Sequence, residues 1–118
     1  MPLFGIVKTL DTRNKIVSAG EARQIAGARS ARWITGSFDP LLAEHAASIS
    51  STKKSGELLI VEVANPPEPL LPQRARAELI AGLASVDYVV ISEKQIPTDD
   101  VSAHFVDHVR RRAHGAKA

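Results

Sequence analysis

In the stretch WITGSFDPLLAEHA, Trp33 to Ala46, a glycine, a serine, an aspartate and a histidine follow one another closely enough to share one turn and one helix start. These are the residue types that hold a phosphate. Gly36 lets the backbone come near an anion, Ser37 adds a hydroxyl donor, Phe38 anchors the turn, and Asp39 caps the helix that follows. His45, further along that helix, offers a ring N–H to the same space, where free N–H groups at a helix N-terminus already favour negative charge. Each has a plainer use. A glycine turn between strand and helix can serve packing alone, and a lone histidine on a packed helix can be a half-buried structural side chain.

Such a turn needs a strand before it and a helix after it. RWITG reads as a short buried strand ended by its glycine, and from Asp39 the pattern turns helical, with Pro40 at the first helical position and Leu42, Ala46 and Ile49 on one face. Before it, Ser18 to Ala28 reads as a helix with Ser18 as cap, Glu21 three residues on, and Ala22, Ile25 and Ala26 as its apolar face. Residues 1–17 read as an irregular extension or a short edge strand, with GIVKTL the best strand candidate. After the motif helix, LLIVEVAN, Leu58 to Asn65, has the continuous β-branched character of a strand buried on both faces. PPEPLLP then leads to a helix from about Pro72, whose expected inward stripe is Ala75, Leu79, Ile80 and Leu83, with Arg74 and Glu78 outward. VDYVVIS, Val86 to Ser92, is the third strong strand, and a last helix is expected from Thr98 to Arg112, with a basic tail completing 98–118. Strands alternating with helices over short connections predict right-handed βαβ units, hence an α/β fold with a mostly parallel sheet flanked by helices.

At 118 residues and 44% hydrophobic content, the chain is expected to form one domain over 1–118. It has no cysteine, so neither a disulfide framework nor a thiolate metal site is available, and a cytoplasmic setting fits. No stretch approaches the ~20 apolar residues needed to cross a bilayer, and no membrane association is expected. The net charge of +2 is concentrated in the tail. A run such as Arg110 to Arg112 can hold nucleic acid through phosphates, but more often it is a solvated helix end. With 4% aromatic residues there are few platforms for stacking bases, which argues against nucleic acid as the partner.

GSFDPLLAEH resembles the GxFDxxHxGH motif of the cytidylyltransferase-like nucleotidyltransferases, with Gly36, Phe38, Asp39 and His45 at matching positions. The resemblance continues through KIVSAGEARQIAG, GELLIVEVAN and LLPQRARAELIAGLASVDYVVIS, covering residues 15 to 97 in matching order, and it is nearest to the heptose-phosphate and glycerol-phosphate members. It implies a small Rossmann-like three-layer sandwich of the HIGH-superfamily type. It also implies transfer of a nucleotidyl group from CTP or ATP, with magnesium, to a substrate phosphate, and Arg74 as a phosphate-binding residue beside Gly36, Ser37, Phe38 and Asp39, with His45 as the catalytic one.

The motif is degenerate. Leu42 stands where the first histidine belongs, and losing one such donor costs on the order of 3 kcal/mol, or 100-fold in rate. Glu44 replaces the second glycine, and a carboxylate within ~5 Å of a phosphate repels it by roughly 3 kcal/mol at an effective dielectric of 20. The basic loop after the second strand and the C-terminal Ser-Ser/Thr-Thr element are also missing, ISSTKK being misplaced for the latter. The expected function is therefore an eroded nucleotidyltransferase-like domain that binds a nucleotide or anion, or serves protein interaction, with little or no catalysis. The alternatives are an active cytidylyl- or adenylyltransferase on a sugar or polyol phosphate, and nucleic-acid binding by the tail. His104 and His108 have the i, i+4 spacing of two metal ligands but no evident third, with His114 beyond the expected helix end, so no metal site is assigned. A narrow sheet with an open edge leads to the expectation of a homodimer.

Overall fold

Ser18 opens the first helix through a reciprocal cap: its hydroxyl accepts from the Glu21 N–H at 3.1 Å, and the Glu21 carboxylate accepts from the Ser18 N–H at 3.3 Å. The structure, a computed structural model, describes residues 11–115, with side chains through Arg112. The GIVKTL candidate lies outside the described residues. In chain order the elements are a 3-10 turn at Thr12–Lys15, then β1 (Ile16–Val17), α1 (Ala19–Ala28), β2 (Ala31–Gly36), α2 (Ala43–Thr52), β3 (Leu58–Asn65), α3 (Gln73–Ala81), β4 (Tyr88–Gln95) and α4 (Asp100–Gly115).

The described strands form one parallel sheet in the order β1-β4-β3-β2, with β2, the strand that delivers the glycine turn, at an edge. Because successive side chains alternate faces, the sheet builds two cores. Leu59, Val61, Val63 and Val89 pack with Ile49 of α2 and Ala77, Ile80 and Ala81 of α3 on one side. Ile60 and Val90 pack with Ala22 of α1 on the other. This is the parallel α/β fold that the alternating pattern predicts and the Rossmann-like three-layer sandwich that the resemblance implies, and β3 is buried along nearly its whole length.

One charge interrupts β3. Glu62, 8% exposed, faces the α1 side and accepts from the Trp33 indole N–H at 3.0 Å and the Thr35 hydroxyl at 3.3 Å. Burial raises its carboxyl, but hydrogen bonds from Ser92 and Trp33, the charge of Lys94 and the Thr35 hydroxyl outweigh that and leave it below its ordinary range.

Several local expectations are corrected. The motif helix begins at Ala43, not at Asp39–Pro40, because the Asp39 carboxylate is committed elsewhere and the backbone of Phe38 turns left-handed, at φ 48°. The inward stripe of α3 is Arg76, Ala77, Ile80 and Ala81, while Leu79 is 51% exposed and Ala75 lies outward. A buried guanidinium takes the inward position, and that rotation moves the larger leucine out. The last strand starts at Tyr88 rather than Val86, since the Asp87 N–H bonds to the Leu59 carbonyl and its carboxylate to the Leu59 N–H. It runs on to Gln95, which pairs with Asn65 beyond an irregularity in β3. The final helix starts at Asp100 instead of Thr98, with the Asp99 carboxylate accepting from the Ser102 N–H at 2.9 Å.

Candidate functional site

The carboxyl ends of β2 and β3 are joined by one side chain that the motif reading passed over. Arg76, 0% exposed, donates through Nη1 to the carbonyls of Ser37 and Ala64, both at 2.8 Å, through Nε to the Leu71 carbonyl at 3.0 Å, and through Nη2 to Asn65 Oδ1. Its planar fork satisfies carbonyls from the glycine turn, from β3 and from the proline-rich loop at once, which a lysine's single ammonium would not do. Burial lowers the Arg76 pKa, opposed by the charge of Asp39 nearby. Gln73 adds a second tie, donating to the Val63 carbonyl at 2.9 Å and to the Ser92 carbonyl within β4.

On this frame the glycine turn is assembled. A Cβ at Gly36 would lie 2.6 Å from the Phe38 ring, so the absence of a side chain there admits the ring of its own turn. Phe38 is buried in the α2–α3 core and meets the His45 ring edge-on, with centroids 5.8 Å apart. Asp39 is 2% exposed, and its two oxygens accept from the N–H groups of Leu70 at 2.6 Å and Leu71 at 2.9 Å. Its carboxylate therefore fixes the proline-rich loop instead of capping α2. Ser37 is 1% exposed, and its hydroxyl has no hydrogen-bond partner among the described residues.

His45 supplies the missing cap of α2. Its Nδ1 accepts from the Leu42 N–H at 2.9 Å, so in this arrangement the ring proton is on Nε2. That Nε2–H donates to Asp99 Oδ1 at 2.9 Å, with the Ser102 hydroxyl 3.5 Å away. Asp99 also accepts from the Ser102 N–H at 2.9 Å and from its hydroxyl at 3.0 Å. Burial raises the Asp99 carboxyl, but the hydrogen bonds from His45 and Ser102 outweigh it and hold it below the usual carboxylate range.

The candidate residues thus divide. Gly36, Ser37, Phe38, Asp39 and His45 come together at the strand ends. Arg74 does not join them: it is exposed on α3 and pairs with Glu78 at 3.1 Å. Leu42 and Glu44 face α4 across a groove that His104 and His108 also line. No group of three His, Cys, Asp or Glu positioned for a metal occurs among the described residues. In the basic run, Arg111 pairs with Asp107. No helix among the described residues is long and apolar enough to cross a membrane.

Chemically, the cluster combines one imidazole N–H, held by Asp99, with one buried hydroxyl that has no partner among the described residues. The chain is similar to the bifunctional protein HldE. It is 31% identical to HldE of Acidiphilium cryptum over 111 residues, covering 86% of this chain and 23% of that protein. HldE of Helicobacter pylori strain P12 is 30% identical over 112 residues, 87% of this chain and 21% of the relative. HldE of Trichlorobacter lovleyi is 26% identical over 106 residues, 82% and 21% respectively. The chain spans about a fifth of the length of these HldE relatives. No protein-family model matches it.

Arg76, Asp99 and Ser102 were not legible as site residues from spacing alone. A signal existed for Arg76, which stands four residues before Ile80 and so shares its buried helix face. Asp99 showed only as a helix-start residue, because its partner in space is far away in sequence.

Proposed function

We propose that this chain is a nucleotidyltransferase-like domain that binds a nucleotide or another phosphate-bearing anion at the carboxyl ends of β2 and β3, with little or no catalysis. The observation that carries the reading is the state of the two motif positions at the start of α2. The imidazole at His45 is kept and oriented, while Leu42 offers no donor and Glu44 brings negative charge to the same helix start. Transfer chemistry needs charge on the reacting phosphates neutralised as it grows, and half of that apparatus is a hydrocarbon here. Asp39 has both oxygens committed to backbone N–H groups, so magnesium would arrive with a triphosphate as part of the ligand. The similarity to HldE and the resemblance of residues 15 to 97 to sugar-phosphate nucleotidyltransferases support the scaffold assignment. A cytoplasmic setting is part of the proposal, and the absence of cysteine fits it.

Calorimetric titration with CTP and with ATP, each with magnesium, tests this. Binding of one of them without pyrophosphate release, across a panel of sugar and polyol phosphates, is the expected result. Steady release would establish the second reading, an active cytidylyl- or adenylyltransferase on a sugar or polyol phosphate, which the retained His45 and the HldE similarity favour. Among the described residues β2 is the last strand of the sheet, which supports a homodimer formed by pairing or covering that edge, and light scattering at high concentration would return twice the chain mass.

A further inference from the structure

We propose that the first turn of α4 is an intramolecular latch on the phosphate site: Asp99 holds the imidazole N–H that an incoming phosphate would use, so ligand and helix compete for His45. The inference rests on the phosphate-binding reading of that site and adds its regulation.

The geometry carries it in three steps. First, the His45 ring has two nitrogens and both are engaged, Nδ1 by the Leu42 N–H at 2.9 Å and Nε2 by Asp99 at 2.9 Å. The Nδ1 bond is local and holds the ring in place. The Nε2 bond reaches across 54 positions of sequence and is the one that a ligand could replace. Second, the occupant is a carboxylate, and a phosphate approaching the same N–H meets a like charge, so simultaneous occupancy is disfavoured. Third, α4 is attached chiefly through this turn. Ser102 is its one fully buried residue among those with described side chains, while Phe105 and Val109 are 40% and 47% exposed. Open grooves flank the helix on both sides, one of about 490 Å³ against Leu42 and Glu44, the other of about 240 Å³ against Asp39, Pro66 and Leu70. A helix packed in this way is drawn from the low-stability end of a fold.

The glycine turn holds a second polar group. Ser37, in the turn that Arg76 holds, has a buried hydroxyl with no partner among the described residues. An unmet donor in such a place is costly unless a ligand meets it.

Two variants separate the latch from mere helix capping. Asp99→Asn keeps an efficient N-cap but removes the charge, whereas Asp99→Ala removes both. Amide hydrogen exchange over residues 99–112 and calorimetric titration with magnesium ATP are measured on both and on the parent. We expect Asp99→Ala to speed exchange of the α4 amides at least tenfold. Asp99→Asn should tighten ATP about tenfold, and ATP should speed α4 exchange in the parent. Unchanged α4 exchange in Asp99→Ala overturns the latch, whatever the nucleotide does. ATP that binds the parent and Asp99→Asn equally overturns the competition while leaving the site reading intact. If none of the three proteins binds ATP but Asp99→Ala loses α4 protection, the site reading fails and the hold of Asp99 on the helix stands.

Discussion

Arg76 Nη1 donates to the carbonyl of Ser37 at 2.8 Å across 39 positions of sequence, and the same nitrogen donates to Ala64 at 2.8 Å. One buried cation thereby ties the glycine turn of β2 to the end of β3. Its contribution is positional: without it, three carbonyls and the Asn65 side chain lose their partner in a region closed to water. Arg76→Met should destabilise the fold by about 3–5 kcal/mol, the range for breaking a buried charged network. Arg74→Ala, removing an exposed pair with Glu78, should cost less than about 1 kcal/mol. Urea denaturation of the two variants decides between them, and equal losses would contradict the structure.

Gly36 and Phe38 share one volume. Gly36→Ala places a methyl 2.6 Å from the Phe38 ring, and because that ring is packed in the core the expected cost is about 1–3 kcal/mol. Phe38→Leu in the same chain should recover part of it. A double-mutant cycle with no coupling between the two positions would mean that the ring lies elsewhere.

Acid should unfold the protein through a small set of carboxylates. Glu62, Asp87 and Asp99 all have folded pKa values below their ordinary 4.5, 3.8 and 3.8. For Asp87, burial acts upward, but the Lys53 ammonium at 2.7 Å and the Leu59 N–H at 2.8 Å prevail. A depressed folded pKa contributes stability above the unfolded value and loses it as pH falls through the folded one. Stability should therefore be level above pH 5 or so and fall progressively below about pH 4.5, the ordinary Glu value. Melting temperature measured across pH 2 to 7 tests the direction, and Asp87→Asn should flatten the acid limb.

The proposed function makes a gain-of-function prediction at Leu42 and Glu44. Leu42→His with Glu44→Gly adds a second donor and removes a carboxylate. Pyrophosphate release from a triphosphate and a sugar phosphate should rise on the order of 100-fold, the worth of one such donor. An inert parent that becomes active would show that catalysis was lost at these two positions. A double variant as inert as its parent would overturn the role assigned to these two positions.

Much of the scaffold was legible from short-range patterns. The Ser18–Glu21 cap, the β-branched run of β3, and the order of strands and helices all follow from residues within one turn or one strand of each other. Local chemistry specifies such features because their partners are neighbours along the chain. The pattern also brought out Gly36, Phe38 and His45, since a glycine turn followed by a helix is itself a local signal.

What the chain could not reveal on its own is where its polar side chains would find their partners. Asp39 looks like a helix cap, and an N-terminal carboxylate before a proline is a sound local choice; in the fold, two N–H groups 31 and 32 positions away take it first. Arg76 looks like any helix arginine until the sheet brings four acceptors around it, because a buried guanidinium needs several partners at once and no local segment supplies them. His45 is oriented locally by Leu42 but engaged by Asp99, and that second bond depends on where the start of α4 comes to lie. Periodicity and capping act over a few residues and are written in the sequence; the pairing of buried polar groups is set by which strands and loops meet, and only the tertiary structure decides that.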